Sequence, residues 1–351
     1  MSEDTAYPRD GMTNGHGVRL HYRDWGDPMD RGPEGPAHRT GNTTNRPPTP
    51  LLLLHGLASS LCIWDMVAPI LARERRVVAL DQRGHGLSDK PDDGYDFASM
   101  LADDLAAADA LGLGERFAVA GHSWGANVAL EFAAMHSDRV AAMALVDGGF
   151  GMLRQRPGAT WEQLSRDLAP PDFAGTPRET FLGWVHDEIP NWRPDIDEIE
   201  LNIVELRPDD TVRPRLSRAN HMKILRAMWD EDPDAIFPLI QAPTLYVLAE
   251  PRQRAASHSE RSGSGPEAEP RDLTPTLSSE VREAEGNAGD AAPVDDFLAA
   301  KRQGAQTARE RMTQAPSVEV IWARDTVHDI PLQRPEQLAA WIGDFLRRVA
   351  P

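Results

Sequence analysis

The stretch Phe117-Ala118-Val119-Ala120-Gly121-His122-Ser123-Trp124-Gly125 decides the reading of this chain. Its first four residues are a short apolar run of strand character. The segment that follows, Ala126 to His136, is alanine-rich and helical in pattern. Between them, one glycine on each side of Ser123 lets the backbone turn sharply from strand to helix. A serine at the apex of such a turn takes a strained conformation that thrusts its hydroxyl outward. G-x-S-x-G is a common pattern by chance; its place between a buried strand and a helix is what makes it informative.

Outward from this turn the same grammar repeats. Leu51-Leu52-Leu53-Leu54, Val77-Val78-Ala79-Leu80, Ala144-Leu145-Val146, Leu245-Tyr246-Val247-Leu248 and Val318 to Trp322 are short, continuous apolar runs, as expected of strands buried on both faces. Helical patterns lie between them at Leu61 to Ala72, Phe97 to Leu111 and Pro335 to Val349. In the second, Leu101, Leu105, Ala108 and Leu111 share a face, with Asp103, Asp104 and Asp109 read as lying off it. Gly17 to Trp25 alternates apolar and polar residues and reads as an edge strand. Alternating strands and helices predict an α/β class with a mostly parallel, doubly wound sheet, whose chemistry sits at the C-terminal strand ends.

Length and composition fill in the rest. The 351 residues suggest about two domains, or one large domain with insertions. The apolar share of 40% is lean, with 29 Pro and 27 Gly. Two stretches account for that: a Gly/Pro/Asn/Thr-rich loop over 26–50, read as flexible, and a Ser/Gly/Pro/Glu-rich insertion over 251–315, read as largely disordered. Within the latter, Val294 to Arg311 reads as a helix. The segment 150–237 reads as a helical cap bearing Trp161, Trp184, Trp192 and Trp229, laid over a core made of 1–149 and 238–351.

Thirty-seven Lys and Arg against 55 Asp and Glu give a net charge of −18, which argues against nucleic acid as a partner. One cysteine, Cys62, excludes an internal disulfide and any cysteine-rich metal site and fits a reducing, cytoplasmic setting. The acidic N-terminus carries no secretory pattern, and no apolar run approaches the roughly 18 residues that span a bilayer. H-x-x-H, C-x-x-C and P-loop patterns are absent, so neither a metal nor an organic cofactor is expected.

A serine nucleophile needs a base. His328 follows the last apolar run and precedes the final helix, where the chain order serine, acid, histidine puts it. At this point the chain resembles the α/β-hydrolase superfamily. The likeness is carried by the serine turn and by three further segments: Leu54-His55-Gly56, Asp81-Gln82-Arg83-Gly84-His85-Gly86-Leu87-Ser88, and Val327-His328-Asp329-Ile330-Pro331-Leu332-Gln333-Arg334-Pro335-Glu336.

The resemblance implies an oxyanion hole formed by the backbone N–H groups of Leu57 and Trp124. It leaves His55, Arg83 and Asp81 as residues that hold their loops. The acid departs from the commonest family pattern, strand then Gly-x-x-Asp, because Arg252 stands where that aspartate would be. Asp147, at the end of the strand after the serine helix, is the preferred candidate, as in certain haloalkane dehalogenases and lipases. Glu250 is the alternative, with Asp325 behind it. Asp147 also suits a bland role, capping the Gly148-Gly149 turn.

Because the superfamily's dehalogenase and epoxide-hydrolase chemistry uses a carboxylate nucleophile, a serine at this position implies acyl chemistry, and the Trp- and Met-bearing segment 150–237, read as an apolar lid, points to a small to medium hydrophobic substrate. A C–C bond hydrolase, perhydrolase or acyltransferase with the same residues, or a non-catalytic ligand-binding protein on the same fold, are the alternatives.

Overall fold

The computed structural model describes residues 8–27, 47–150, 153–155, 158–189, 192–251 and 294–351. Its central sheet has eight strands in the order β1-β2-β4-β3-β5-β6-β9-β10. These are β1 (Arg9–Asn14), β2 (Arg19–Asp24), β3 (Leu51–Leu54), β4 (Val77–Leu80), β5 (Phe117–His122), β6 (Val140–Val146), β9 (Thr244–Glu250) and β10 (Val318–Arg324). From β4 to β10 every pairing is parallel, whereas β1 pairs β2 and β2 pairs β4 antiparallel. The mostly parallel, doubly wound sheet expected from the sequence is the one observed. After β3 the chain steps outward to β4 and returns to β5 on the other side of β3. That reversal opens a crevice at the C-terminal ends of β3 and β5, where ligands bind in folds of this kind.

The core divides by the period of the strands. Leu51, Leu53, Val77, Ala79, Ala118, Ala120, Ala142, Ala144, Leu245 and Val247 pack on one face with Trp64 and with Leu338, Ile342, Phe345 and Leu346 of the last helix, α11 (Pro335–Val349). Leu52, Leu54, Val78, Leu80, Val119, Met143, Leu145, Tyr246 and Leu248 pack on the other, with helices α2 (Phe97–Ala110) and α3 (Trp124–Met135). Each fully buried large side chain there stabilises the fold by about 1.5–3 kcal/mol.

Several expectations are corrected. The strand at 19–24 is not an edge, because β1 lies outside it. β1 reads Arg-Asp-Gly-Met-Thr-Asn, which carries no strand signal; a methyl at Gly11 would lie 2.6 Å from the Tyr22 hydroxyl oxygen, so the Tyr22 ring lies directly over this glycine. The single helix expected over Leu61 to Ala72 is a 3₁₀ turn, Leu61–Trp64, and a separate short helix, α1 (Ala68–Leu71), with Pro69 in its first turn.

On α2, Asp103 and Asp104, read only as lying off the Leu101 face, are themselves buried. Asp103 accepts Arg83 Nε at 2.6 Å and Nη2 at 2.9 Å and the His16 N–H at 2.7 Å, a planar fork that compensates the buried charge. Burial, together with neighbouring Asp103, pushes the Asp104 carboxyl well above the usual range.

Residues 28–46 of the early loop and 252–293 of the later insertion lie outside the described residues. Between β6 and β9 come α4 (Trp161–Asp167), α5 (Arg178–Glu188), α6 (Pro194–Leu201), a two-stranded ribbon of β7 (Val204–Leu206) and β8 (Val212–Pro214), α7 (Arg218–Asp230) and α8 (Pro233–Ile236). The ribbon was not expected. Ile196 and Ile199 of α6 join the first core face, and Ile224 and Met228 of α7 the second. Trp161 and Trp229 face each other at 6.1 Å between ring centroids, and Trp184 packs on the first core face. Trp161 and Trp229 therefore contribute to the segment's own packing, while Trp184 joins it to the core. The last elements are α9 (Val294–Arg311), at the bounds read from the sequence, and α10 (Ile330–Gln333).

Candidate active site

Ser123 stands between β5 and α3 with φ 53° and ψ −124°, a conformation forbidden to most side chains. The surrounding chain over-determines it. Ser123 N–H donates to the Val146 carbonyl at 2.8 Å, and its own carbonyl accepts from Ala126 N–H at 2.9 Å. A methyl at Gly121 would lie 2.0 Å from the Gly125 carbonyl oxygen, one at Gly125 2.5 Å from the Leu54 and His55 oxygens, and one at Gly148 2.2 Å from the Ser123 oxygen. Glycine at each of these positions is a condition of the turn.

Asp147 and His328 meet beside it. Asp147, directly after β6, also has a positive φ of 47°. Its Oδ2 lies 2.8 Å from His328 Nδ1. A carboxylate only accepts, so Nδ1 carries a proton, and in the neutral ring Nε2 is then the acceptor. His328 is tied to the serine turn through His122, whose Nε2 donates to the His328 carbonyl at 3.0 Å and whose ring lies 4.9 Å from that of His328. Burial, with His328 alongside, lowers His122 to about 4, so it stays neutral.

Burial alone would push the Asp147 carboxyl upward, but it is held well below the usual carboxylate range by Lys301 and by the His328 hydrogen bond. Its Oδ1 accepts the Ala249 N–H at 2.8 Å, and Lys301 Nζ sits 2.9 Å from Oδ1 and 3.1 Å from Oδ2.

The competing acids are elsewhere. Glu250 pairs with Arg302 at 2.7 Å and Arg324 at 3.6 Å at the sheet edge. Asp325 is exposed in the turn after β10, with a positive φ of 55°, and its carbonyl accepts from Gln333. The structure thus pairs His328 with Asp147, ties His328 through His122 and the end of β6 through Val146 to the turn that bears Ser123, and leaves Glu250 and Asp325 outside that pair.

The loop bearing Leu57 runs alongside: a methyl at Gly56 would lie 3.1 Å from Ser123 Cβ. Trp124 opens α3, where backbone N–H groups lie outside the intrahelical ladder. The residues read as loop holders do hold loops. His55 Nδ1 donates to the Gly56 carbonyl at 2.7 Å while its Nε2 accepts Gln82 N–H at 3.0 Å. His85 donates to the Arg83 carbonyl, accepts Ala58 N–H at 3.2 Å and stacks on Trp124 at 5.4 Å.

Asp81 accepts from His21 at 2.7 Å, Leu61 N–H at 2.8 Å and Leu87 N–H at 2.9 Å. Burial would raise Asp81, yet these contacts and nearby His55 hold it at about 2.

Lys301 is the residue that sequence reasoning missed. Its signal was a cation in an apolar stripe: Leu298, Lys301, Ala305, Ala308 and Met312, spaced by three or four, form the buried face of the segment containing α9. Among the described residues no group of three or more His, Cys, Asp or Glu could hold a metal ion, and no helix is long and apolar enough to cross a membrane.

Comparison with known proteins agrees with this architecture. Residues 49–195 match the family model described as the alpha/beta hydrolase fold. A fluoroacetate dehalogenase from a Burkholderia species is 40% identical over 102 residues, 28% of this chain and 33% of the relative. A soluble epoxide hydrolase from Corynebacterium sp. (strain C12) is 38% identical over 105 residues, 30% of this chain and 36% of the relative. The chain thus spans about a third of the length of the curated relatives it matches. Among solved structures, E-2-(acetamidomethylene)succinate hydrolase superposes with a TM-score of 0.62 at 18% identity, covering 97% of this chain and 100% of that one, a likeness of fold.

Proposed function

The chain belongs to the α/β-hydrolase superfamily, and we propose that within it the protein is a serine hydrolase, cleaving an ester-type or related acyl bond through an acyl-enzyme. The observation that carries this reading is the 2.8 Å contact of Asp147 with His328 Nδ1 next to a serine held at φ 53°. In this reading Ser123 Oγ attacks the substrate carbonyl while His328 Nε2 takes its proton and later gives it to the leaving group. Asp147 fixes the imidazole tautomer and stabilises the imidazolium. The N–H groups of Leu57 and Trp124 receive the charge that develops on the carbonyl oxygen. Water then attacks the acyl-enzyme, with His328 as base, and releases the acid. No metal or cofactor enters these steps.

The substrate in this reading is a small to medium hydrophobic acyl compound, admitted beneath the helices of 150–237, which act as a cap on the core of 1–149 and 238–351. The serine at the turn sets this chemistry apart from dehalogenase and epoxide-hydrolase reactions, which use a carboxylate nucleophile. A cytoplasmic setting is supported by the single cysteine: Cys62 is buried, and burial, with nearby Asp65, pushes its thiol up to about 12, which makes it unreactive. The test is a panel of aryl esters of increasing acyl length, run with wild type and Ser123→Ala. Hydrolysis favouring short and medium chains and abolished by the substitution is expected; turnover that survives Ser123→Ala contradicts the proposal.

A further inference from the structure

The contact of Asp147 with Lys301 is unusual for its cost. Both side chains are buried, and Lys301 Nζ reaches both carboxylate oxygens and the Ala249 carbonyl at 3.1 Å. A buried ammonium is tolerated only when its charge and its donors are compensated, and these contacts do that. The approach is built into α9. Gly304, one turn beyond Lys301, is needed because a methyl there would lie 2.3 Å from the Phe150 carbonyl oxygen. Ala305 and Ala308 are buried in the second core face, together with Phe237, Tyr246 and Leu248.

We propose that Lys301 is a positioning residue for the Asp147–His328 pair, clamping both carboxylate oxygens, including the Oδ2 that accepts from the imidazole, and balancing the carboxylate's charge so that His328 is kept an uncharged base. This rests on the reading of Ser123, His328 and Asp147 as the catalytic residues. A lone buried carboxylate beside His328 favours the imidazolium; a carboxylate already paired with an ammonium does so far less.

Among the described residues, the other charged groups around His328 do not replace Lys301. His122 on β5 is neutral, Asp329 lies 4.0 Å from His122 Nε2, and Glu200 of α6, near Asp329, is pushed up to about 8 by burial. Glu250 on β9 is engaged with Arg302 and Arg324. The segment of the insertion that contains α9 thereby enters the reaction without touching substrate.

The test is the second-order rate of Ser123 labelling by a fluorophosphonate as a function of pH, which requires no knowledge of the substrate. In Lys301→Met the acidic limb moves up by about one to two pH units, the size expected for losing a unit charge roughly 6 Å away at an effective dielectric constant of about 20. Lys301→Arg, which keeps the charge, stays near wild type, and Gly304→Ala, which lifts α9 off Phe150, moves the limb in the same direction as Lys301→Met. A merely structural role would lower the plateau and leave the limb in place, and that result overturns the proposal.

If Lys301→Met does not fold, Lys301→Gln carries the comparison. If neither folds, the imidazole titration of His328 in wild type, followed by NMR and assigned by its loss in His328→Gln, decides. A midpoint at or below about 6.5 is expected, and one clearly above it, as for a histidine beside an unbalanced carboxylate, overturns the proposal. Wild type that never labels at any pH refutes the hydrolase reading itself, which keeps the two failures apart.

Discussion

Replacing Asp147 by asparagine changes one oxygen to an amide and removes one charge, and the geometry dictates the loss. Asp147 accepts from His328 Nδ1, Ala249 N–H and Lys301 Nζ, so every partner is a donor. An asparagine that turns its oxygen to His328 aims its NH₂ at Lys301 and Ala249. Turned the other way, the NH₂ faces Nδ1 and forces the proton onto Nε2, where the imidazole cannot accept the serine proton. Loss of the orienting carboxylate in a serine triad costs about 10⁴ in kcat, or about 5 kcal/mol of transition-state stabilisation.

Lys301 also loses its buried pairing with the Asp147 carboxylate, and breaking a buried ion pair by removing one partner destabilises by about 3–5 kcal/mol. Aryl-ester turnover is therefore to be measured well below the variant's unfolding transition, beside Glu250→Gln as control. Glu250 is partly exposed in its ion pairs, worth about 0–1 kcal/mol, and that variant stays within a few-fold of wild type. Asp147→Asn within tenfold of wild type, or a loss of several orders of magnitude in Glu250→Gln, refutes the assignment.

Two further outcomes concern the scaffold. Gly121→Ala forces a methyl against the Gly125 carbonyl in a fully packed turn and should lower stability by about 1–3 kcal/mol or more; a denaturant midpoint equal to wild type would contradict the steric argument. Glu231, just past α7, is buried with an Asn127 amide on Oε2, and burial, with Glu131 nearby, pushes it up to about 8. Its folded value lies above the unfolded one of about 4.3, so its contribution is full below that pH and is lost as pH rises through about 8. Glu231→Gln is expected to raise Tm at pH 8 and to converge with wild type towards pH 4; parallel Tm curves would contradict this.

Much of this was legible because it is local. The glycines around Ser123 and the apolar runs before them specify a turn that neighbouring residues alone enforce, and His328 follows from its place after the last strand. The acid was harder, because Asp147 and Glu250 both end strands, and only the fold says which carboxylate the imidazole faces.

The burial of Asp103 and Asp104 was not legible, since an acidic residue off an apolar stripe normally meets water; Arg83, twenty residues away in sequence, reverses that for Asp103. β1 went unseen because its pairing with β2, not its own composition, makes it a strand. Lys301 lies 154 residues from Asp147 in a segment whose composition reads as unpacked, and only the close approach permitted by Gly304 joins them.

The central claim is that Ser123 is the nucleophile, and covalent capture tests it most directly. Wild type is incubated with a fluorophosphonate, digested and mapped by mass spectrometry, beside a Ser123→Ala variant of matching Tm. The account predicts one stoichiometric adduct on Ser123 and none in the variant; a folded wild type that stays unmodified, or an adduct on another residue, contradicts it.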